Sequence, residues 1–302
     1  MTKHAELRVP DGRQGPGPMP NALVEALDLP VAHRAAGQLP GDRRAAGVGA
    51  GTELAQLRAY QVGDDVRQID AAATARTGIP HVRVHVPERT LTTWLVVDVS
   101  PSMAFGTADR LKSDVAEGVA QVIGRLAVRR AGRVGLLTTG APEPQQLPPR
   151  GGRPGLIALR KALQRGVAPD HTEGTSLADG LRRVGRLTRG HSLIVVISDF
   201  RDPSEWPRAL GALSLNHDVL GVEVTDPRET ELPDVGRLVL EDPETGERVE
   251  ADSSSPELRR RFAAAELARR DELKSSLRRA RARHVALPTD QDWLRELGRT
   301  LR

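Results

Sequence analysis

The 302-residue chain contains no cysteine, which excludes disulfide scaffolds, thiolate zinc sites, iron–sulfur ligation and cysteine nucleophiles together. Aromatic residues make up only 2% of it, with three Phe, three Trp and one Tyr. The core must therefore be assembled from Leu, Val, Ile and Ala, and single-strand nucleic-acid binding on stacked aromatic platforms is excluded. Long apolar runs are missing too. The most apolar stretches, Trp94–Val97 and Leu193–Ile197, lead within a residue or two into Asp98 and Asp199, far short of the roughly 20 residues that cross a bilayer. The N-terminal MTKHAELRVPDGRQGPGPMP has no apolar stretch of the signal-peptide kind, so a cytoplasmic protein with no membrane span is expected.

A strong field of one sign is also lacking. Forty-four basic residues stand against 40 acidic ones, a formal charge of +4. The excess lies in one segment: Pro256–Arg302 carries +6 and the preceding 255 residues −2. Because Glu and Asp interleave with the Arg of that segment, it reads as a solvated helix face and no nucleic-acid partner is expected.

What is present is 38% hydrophobic and 28% charged residues, enough for a packed core. Residues 1–20 are rich in Pro and Gly and are expected to be a flexible N-terminus. NALVEALDL (21–29) is a helix candidate, Gly37–Gly51 is rich in Gly and Ala, and HVRVHVPE (81–88) alternates as a half-exposed strand does. The region 21–90 is thus expected to be a small β-containing unit. From residue 91 the rhythm changes. LTTWLVVDVS (91–100), RVGLLTT (133–139), SLIVVISD (192–199) and DVLGVEV (218–224) are strand candidates, and their unbroken apolar character implies burial on both faces.

Between these strands lie helical stretches. Leu111, Val115, Val119, Val122, Ile123 and Leu126 recur at helical spacing before Gly132, and 153–163, 176–188 and 206–213 are further helix candidates. The alternation argues for an α/β fold, a doubly wound, mostly parallel sheet over 91–302. GRLVLEDPETGERVEA (236–251) reads as a hairpin turning at Asp242–Gly246, followed by an Arg-rich helix over 256–283 with Leu258, Phe262, Leu273 and Leu277 as packing positions. HVALP (284–288) and QDWLRELGRTL (291–301) rejoin the sheet, so that 226–283 reads as a hairpin-plus-helix insertion.

The acids that end the apolar strands are the informative residues. In open α/β folds the carboxyl ends of the strands form the ligand crevice, and a buried carboxylate is costly unless paired or metal-bound. Asp98 is followed by Ser100 and Ser102, and Thr175 precedes a helix in HTEGTSLADGL. Such hard oxygens suit Mg²⁺, Mn²⁺ or Ca²⁺ rather than zinc.

Asp98, Ser100 and Ser102 match the DxSxS motif of the von Willebrand factor A family; Thr175 and Asp199 match the later threonine and aspartate of its metal-ion-dependent adhesion site. The flanking GAGTELAQLRAYQVGDDVRQID, TARTG and HVRVHVPE resemble the signature of the bacterial DUF58 family, with Ala71 where that family usually has Trp. The resemblance runs from about Gly47 to the C-terminus. It implies a non-enzymatic module whose divalent ion keeps a position open for an acidic side chain of a partner protein. It also implies companionship with a MoxR-type AAA+ ATPase in assembling or activating other proteins.

Other readings stand beside this one. Asp98, Ser100 and Ser102 could simply form a strand-end loop capping the next helix. A metal-dependent hydrolase would need a general base, for which Asp202 and His171 are the candidates; a metal-free scaffold is the third reading. GVGAGTEL (47–54) lacks the Lys-Ser/Thr of a phosphate loop. His81 and His85 share a strand face without a third ligand. Asp64, Asp65, Arg67, Asp70 and Arg76 read as an ion-pair network joining the N-terminal region to the main domain, with a partner-docking surface as the alternative.

Overall fold

A computed structural model describes residues 53–86, 91–129 and 131–300; the helix candidate 21–29 and the Gly/Ala-rich 37–51 lie outside the described residues. The described chain divides into two units, residues 53–86 in one and 91–300 in the other.

In the smaller unit β1 (Glu53–Ala59) pairs antiparallel with β2 (His81–Val86). A register shift between Leu54 and Gln56 breaks the period-two pattern in β1, which is why ELAQLRA does not read as a strand. The acidic cluster is spent locally. Asp65 accepts from the Arg67 N–H at the start of a 3-10 turn, and Asp70 caps α1 (Ala71–Thr77) through the Ala73 N–H at 2.7 Å. The ion pairs run to Arg58, whose guanidinium meets both Asp64 oxygens at 2.6 and 2.7 Å, and to Arg83, 2.7 Å from Asp70, rather than to Arg67 or Arg76. His81 turns its Nδ1 to the Ile79 carbonyl at 2.7 Å.

The larger unit is built on β3 (Thr92–Asp98), β4 (Arg133–Thr139), β5 (Gln146–Arg150), β6 (Ser192–Ser198), β7 (Asp218–Thr225) and β10 (Arg283–Pro288). They form one sheet in the order β10-β7-β6-β3-β4-β5, parallel except for β5 against β4. β5, QLPPR, is unforeseen because Pro148 and Pro149 offer no donors; an edge strand tolerates that.

Both faces are covered. Leu95, Val97, Val195 and Ile197 pack with α2 (Lys112–Arg129), α3 (Gly152–Leu163) and α7 (Trp293–Thr300), while Trp94, Val96, Ile194 and Val196 pack with α4 (Leu177–Leu187), α5 (Trp206–Ser214) and the end of α6 (Pro256–Arg279). Alternate residues of each central strand thus serve opposite cores, the physical cause of the unbroken apolar runs. All the apolar α2 positions expected at helical spacing are buried. The helix closes where Ala131 takes a positive φ of 54° and the Gly132 N–H reaches the Ala127 carbonyl.

β8 (Arg237–Glu241) and β9 (Arg248–Asp252) form a separate two-stranded sheet. β10 pairs parallel with β7, so α6 is the crossover between them, its Leu273 and Leu277 buried and its Leu258 and Phe262 only half-buried. The basic charge of α6 is largely answered within the fold, Arg269 pairing with Glu266 and Glu223 and Arg279 with Glu272. Among the described residues no helix is long and apolar enough to cross a membrane.

Candidate metal centre

β3 and β6 are neighbours in register, Val97 opposite Ile197, so Asp98 and Asp199 emerge side by side at the carboxyl edge of the sheet. Both are buried, at 6% and 2% exposure. The Ser100 N–H donates to Asp98 Oδ1 at 2.9 Å and the Ser198 hydroxyl to Oδ2 at 2.6 Å. Burial, reinforced by the charge of Asp199, pushes the Asp98 carboxyl up to about 7.

Ser100 precedes a 3-10 turn, Pro101–Ala104, but its side chain makes no capping bond; its Oγ lies 3.0 Å from Ser102 Oγ. Ser100 therefore does not cap that turn through its side chain. The loop after β4 closes over the pair at Gly140, whose φ is +81° and where a Cβ would lie 2.4 Å from Ser100 N and 2.7 Å from Asp98 Oδ1. Gly174 packs on Gly140 equally closely, a Cβ there falling 2.3 Å from the Gly140 carbonyl carbon. Backbone bonds from Gly140 N to Thr175 O and from Thr175 N to Ala141 O then fix Thr175 beside this loop. Asp98, Ser100, Ser102 and Asp199 thus converge, and Thr175 is held next to them through its backbone.

Side chains that sequence reasoning did not single out complete the surroundings. Lys112, fully buried, sets its Nζ 2.6 Å from Asp199 Oδ2 and 2.6 Å from Glu229 Oε1. The Arg201 N–H donates to Asp199 Oδ1, and the Arg201 guanidinium reaches Glu229 and Glu266. Burial alone would raise Asp199, but the charge and hydrogen bond of Lys112 outweigh it and hold the carboxyl below the usual range. Burial would likewise lower Lys112, yet Asp199 and Glu229 keep its ammonium above its ordinary value. The one available signal was composition: Lys112 is among four lysines in a chain with 40 arginines, and a compact ammonium fits where a guanidinium fork does not.

Glu244, in the β8–β9 turn, is the second such residue. Loss of water around its carboxyl, with the nearby charge of Asp199, pushes it up against the opposing pull of the Ser102 and Ser100 hydroxyls. DPETGE has the composition of any exposed turn, so nothing in the sequence marks it.

The donor chemistry fits a hard divalent ion. A 3.0 Å separation of the serine oxygens matches the edge of an octahedron with metal–oxygen bonds of about 2.1 Å, and the buried Asp98 carboxyl, which unlike Asp199 has no ammonium beside it, gains from a cation. Among the described residues no group of three or more His, Cys, Asp or Glu is arranged to hold a metal; a site here depends on hydroxyl ligands. The general-base candidates are otherwise engaged. Asp202 accepts from the Leu177 and Ser204 N–H groups, supporting the start of α4, and His171 is paired with Glu241 at 3.2 Å.

The mostly parallel sheet with its antiparallel edge, and the DxSxS loop at the end of a central strand, make an α/β domain with the architecture that the resemblance to the von Willebrand factor A family leads one to expect. The model of the family described as "Protein of unknown function DUF58" matches residues 56–272, and the chain belongs to that family. It is 40% identical over 279 residues to "Uncharacterized protein Rv1480" of Mycobacterium tuberculosis, covering 92% of this chain and 87% of that one. Among solved structures, BatB from Bacteroides thetaiotaomicron is 14% identical with a TM-score of 0.46, over 70% of this chain and 97% of that chain. A von Willebrand factor type A protein from Catenulispora acidiphila is 14% identical with a TM-score of 0.36, over 72% and 44%.

Proposed function

We propose that the protein is a non-enzymatic, divalent-cation-dependent protein-binding module that takes an acidic side chain of a partner protein. Asp98, Ser100, Ser102, Thr175 and Asp199 would hold the ion, Mg²⁺ or Mn²⁺ before Ca²⁺. The observation that carries this reading is the serine hydroxyl pair at 3.0 Å beside two buried strand-end carboxylates. When bound, the ion supplies a positive, incompletely saturated centre on which a foreign carboxylate can be held. The chain's own residues orient it: Ser198 and the Ser100 N–H fix the Asp98 carboxylate, and Gly140 lets the neighbouring loop approach. Family membership makes a MoxR-type AAA+ ATPase the partner to test first, in the cytoplasm.

The hydrolase reading is disfavoured because Asp202 and His171 are committed to structural bonds. Calorimetry with Mg²⁺ and Mn²⁺ on the intact chain, with Asp98→Ala as control, tests the metal. Saturable binding lost in the variant is expected; no saturable binding by the intact chain would overturn the proposal. A pull-down with the ATPase, with and without Mg²⁺, tests the partner, and retention that ignores EDTA would favour a metal-free scaffold.

A further inference from the structure

We infer that the groove between α4 and α5 docks an acidic, amphipathic helix of a partner protein, away from the metal centre and without need of the ion. The groove has a volume of about 540 Å³. Its floor is apolar: Leu181 and Gly185 of α4 face Ala209 and Leu213 of α5, and Leu181, Ala209 and Leu213 are buried. The two helices approach closely there, since a Cβ on Gly185 would fall 3.0 Å from Leu213 Cδ2. In each helix the floor residues stand one turn apart, the spacing at which a helix laid alongside presents its own apolar side chains.

The walls carry charge of one sign. Arg182 and Arg186 rise from α4 one turn apart, and Arg208 rises from α5. No carboxylate lines the groove among the described residues. The acids outside it are weakly engaged: Asp179 meets Arg182 at 2.8 Å and Glu205 meets Arg208 at 4.0 Å, and both partners of each pair are about half exposed or more. Exposed pairs of this kind contribute little, so an incoming carboxylate can take over their guanidiniums.

Shape and charge together select the occupant. A small anion would use the guanidiniums and leave the apolar floor wet, and a wholly apolar helix would cover three guanidiniums without matching them. A helix with Leu at i, i+3 and i+4 and Glu along its flanks satisfies both, its carboxylates one turn apart to meet Arg182 and Arg186. Arg182, Arg186, Arg208 and Ala212 are exposed, a rim that admits a length of chain rather than enclosing a small ligand. The 11 residues of α4 span about 16 Å, room for three turns of a partner helix.

The place is distinct from the DxSxS edge. α4 leads into β6 at Ser192 and α5 into β7 at Asp218, so both helices run back toward the amino edge of the parallel strands. His217, at that end of the groove, has its Nδ1 buried without a hydrogen-bond partner among the described residues. Asp98 and Asp199 lie at the opposite edge.

The test uses the full chain in EDTA and a fluorescein-labelled peptide, acetyl-ELAELLEELAELLE-amide. Anisotropy at low ionic strength is expected to show micromolar binding, at least about tenfold tighter than for the same peptide with Lys at every Glu position. The double variant Arg186→Glu, Arg208→Glu should bind the acidic peptide about tenfold more weakly. Ala212→Lys adds a positive charge but crowds the groove, and a loss of about tenfold is expected there too. These side chains are exposed, so both variants should keep the wild-type melting temperature. Absence of binding, equal affinity for the two peptides, undiminished binding by the double variant or tighter binding by Ala212→Lys would each overturn the inference. So would competition by inorganic phosphate as effective as that of unlabelled peptide, which would make the groove a general anion site. A peptide that binds only with Mg²⁺ and is lost in Asp98→Ala belongs to the metal centre and would equally count against the groove. Binding in EDTA that Asp98→Ala leaves unchanged supports the groove whether or not the metal-dependent reading stands.

Discussion

Lys112 carries the charge balance around Asp199. With its ammonium 2.6 Å from both Asp199 and Glu229, removing the cation leaves two shielded carboxylates facing each other. Lys112→Met is therefore expected to lower stability by about 3–5 kcal/mol, measured by urea denaturation at neutral pH; an unchanged midpoint would show the pair to be unimportant. Asp98 behaves oppositely. Its folded carboxyl, near 7 against an ordinary 3.8, binds more protons than the unfolded chain between those values, so in EDTA its contribution to stability falls as pH rises from about 4 to 7. Asp98→Asn should flatten that decline, which can amount to about 4 kcal/mol at most. A slope identical to wild type would contradict the assignment. The DxSxS residues were readable in advance because spacing alone places them on one loop. Lys112 was not, since a lysine at the head of a helix looks like any solvated charge until the fold brings Asp199 and Glu229 to it.

Among the elements, α6 was legible in part. Leu273 and Leu277, expected as packing positions, close one core of the sheet, and Leu277 presses on Gly221 of β7, where a Cβ would come within 3.1 Å. The role of the helix as the crossover from β7 to β10 was not written in its interleaved charges. Leu277→Ala should cost about 2–5 kcal/mol, while Leu258→Ala, at a half-buried position, should cost less; comparable losses in thermal denaturation would contradict the crossover role. The central strands were legible because burial on both faces removes polar residues from them. β5 was not, because two prolines speak against a strand wherever a neighbour would be needed on each side. β1 was not, because a bulge breaks its alternation.

For the whole molecule, the proposed ion couples binding to folding. A cation that binds only the folded chain stabilises it by about 2.7 kcal/mol at a hundredfold excess over its dissociation constant. Mg²⁺ or Mn²⁺ is expected to raise the melting temperature of wild type relative to EDTA and to leave that of Asp98→Ala unmoved. No shift in wild type across millimolar Mg²⁺ would count against a folded-state metal site.

Local pattern by itself determined the layered α/β architecture and the loop bearing Asp98, Ser100 and Ser102, because periodicity and strand-end acids are written in adjacent residues. Only the tertiary structure decided that Lys112 and Glu229 flank Asp199, and that the Arg201 guanidinium joins Glu229 to Glu266. Those pairings depend on which strands lie side by side and where a turn docks. Both are set by how apolar faces are buried together, which no single stretch of the chain encodes.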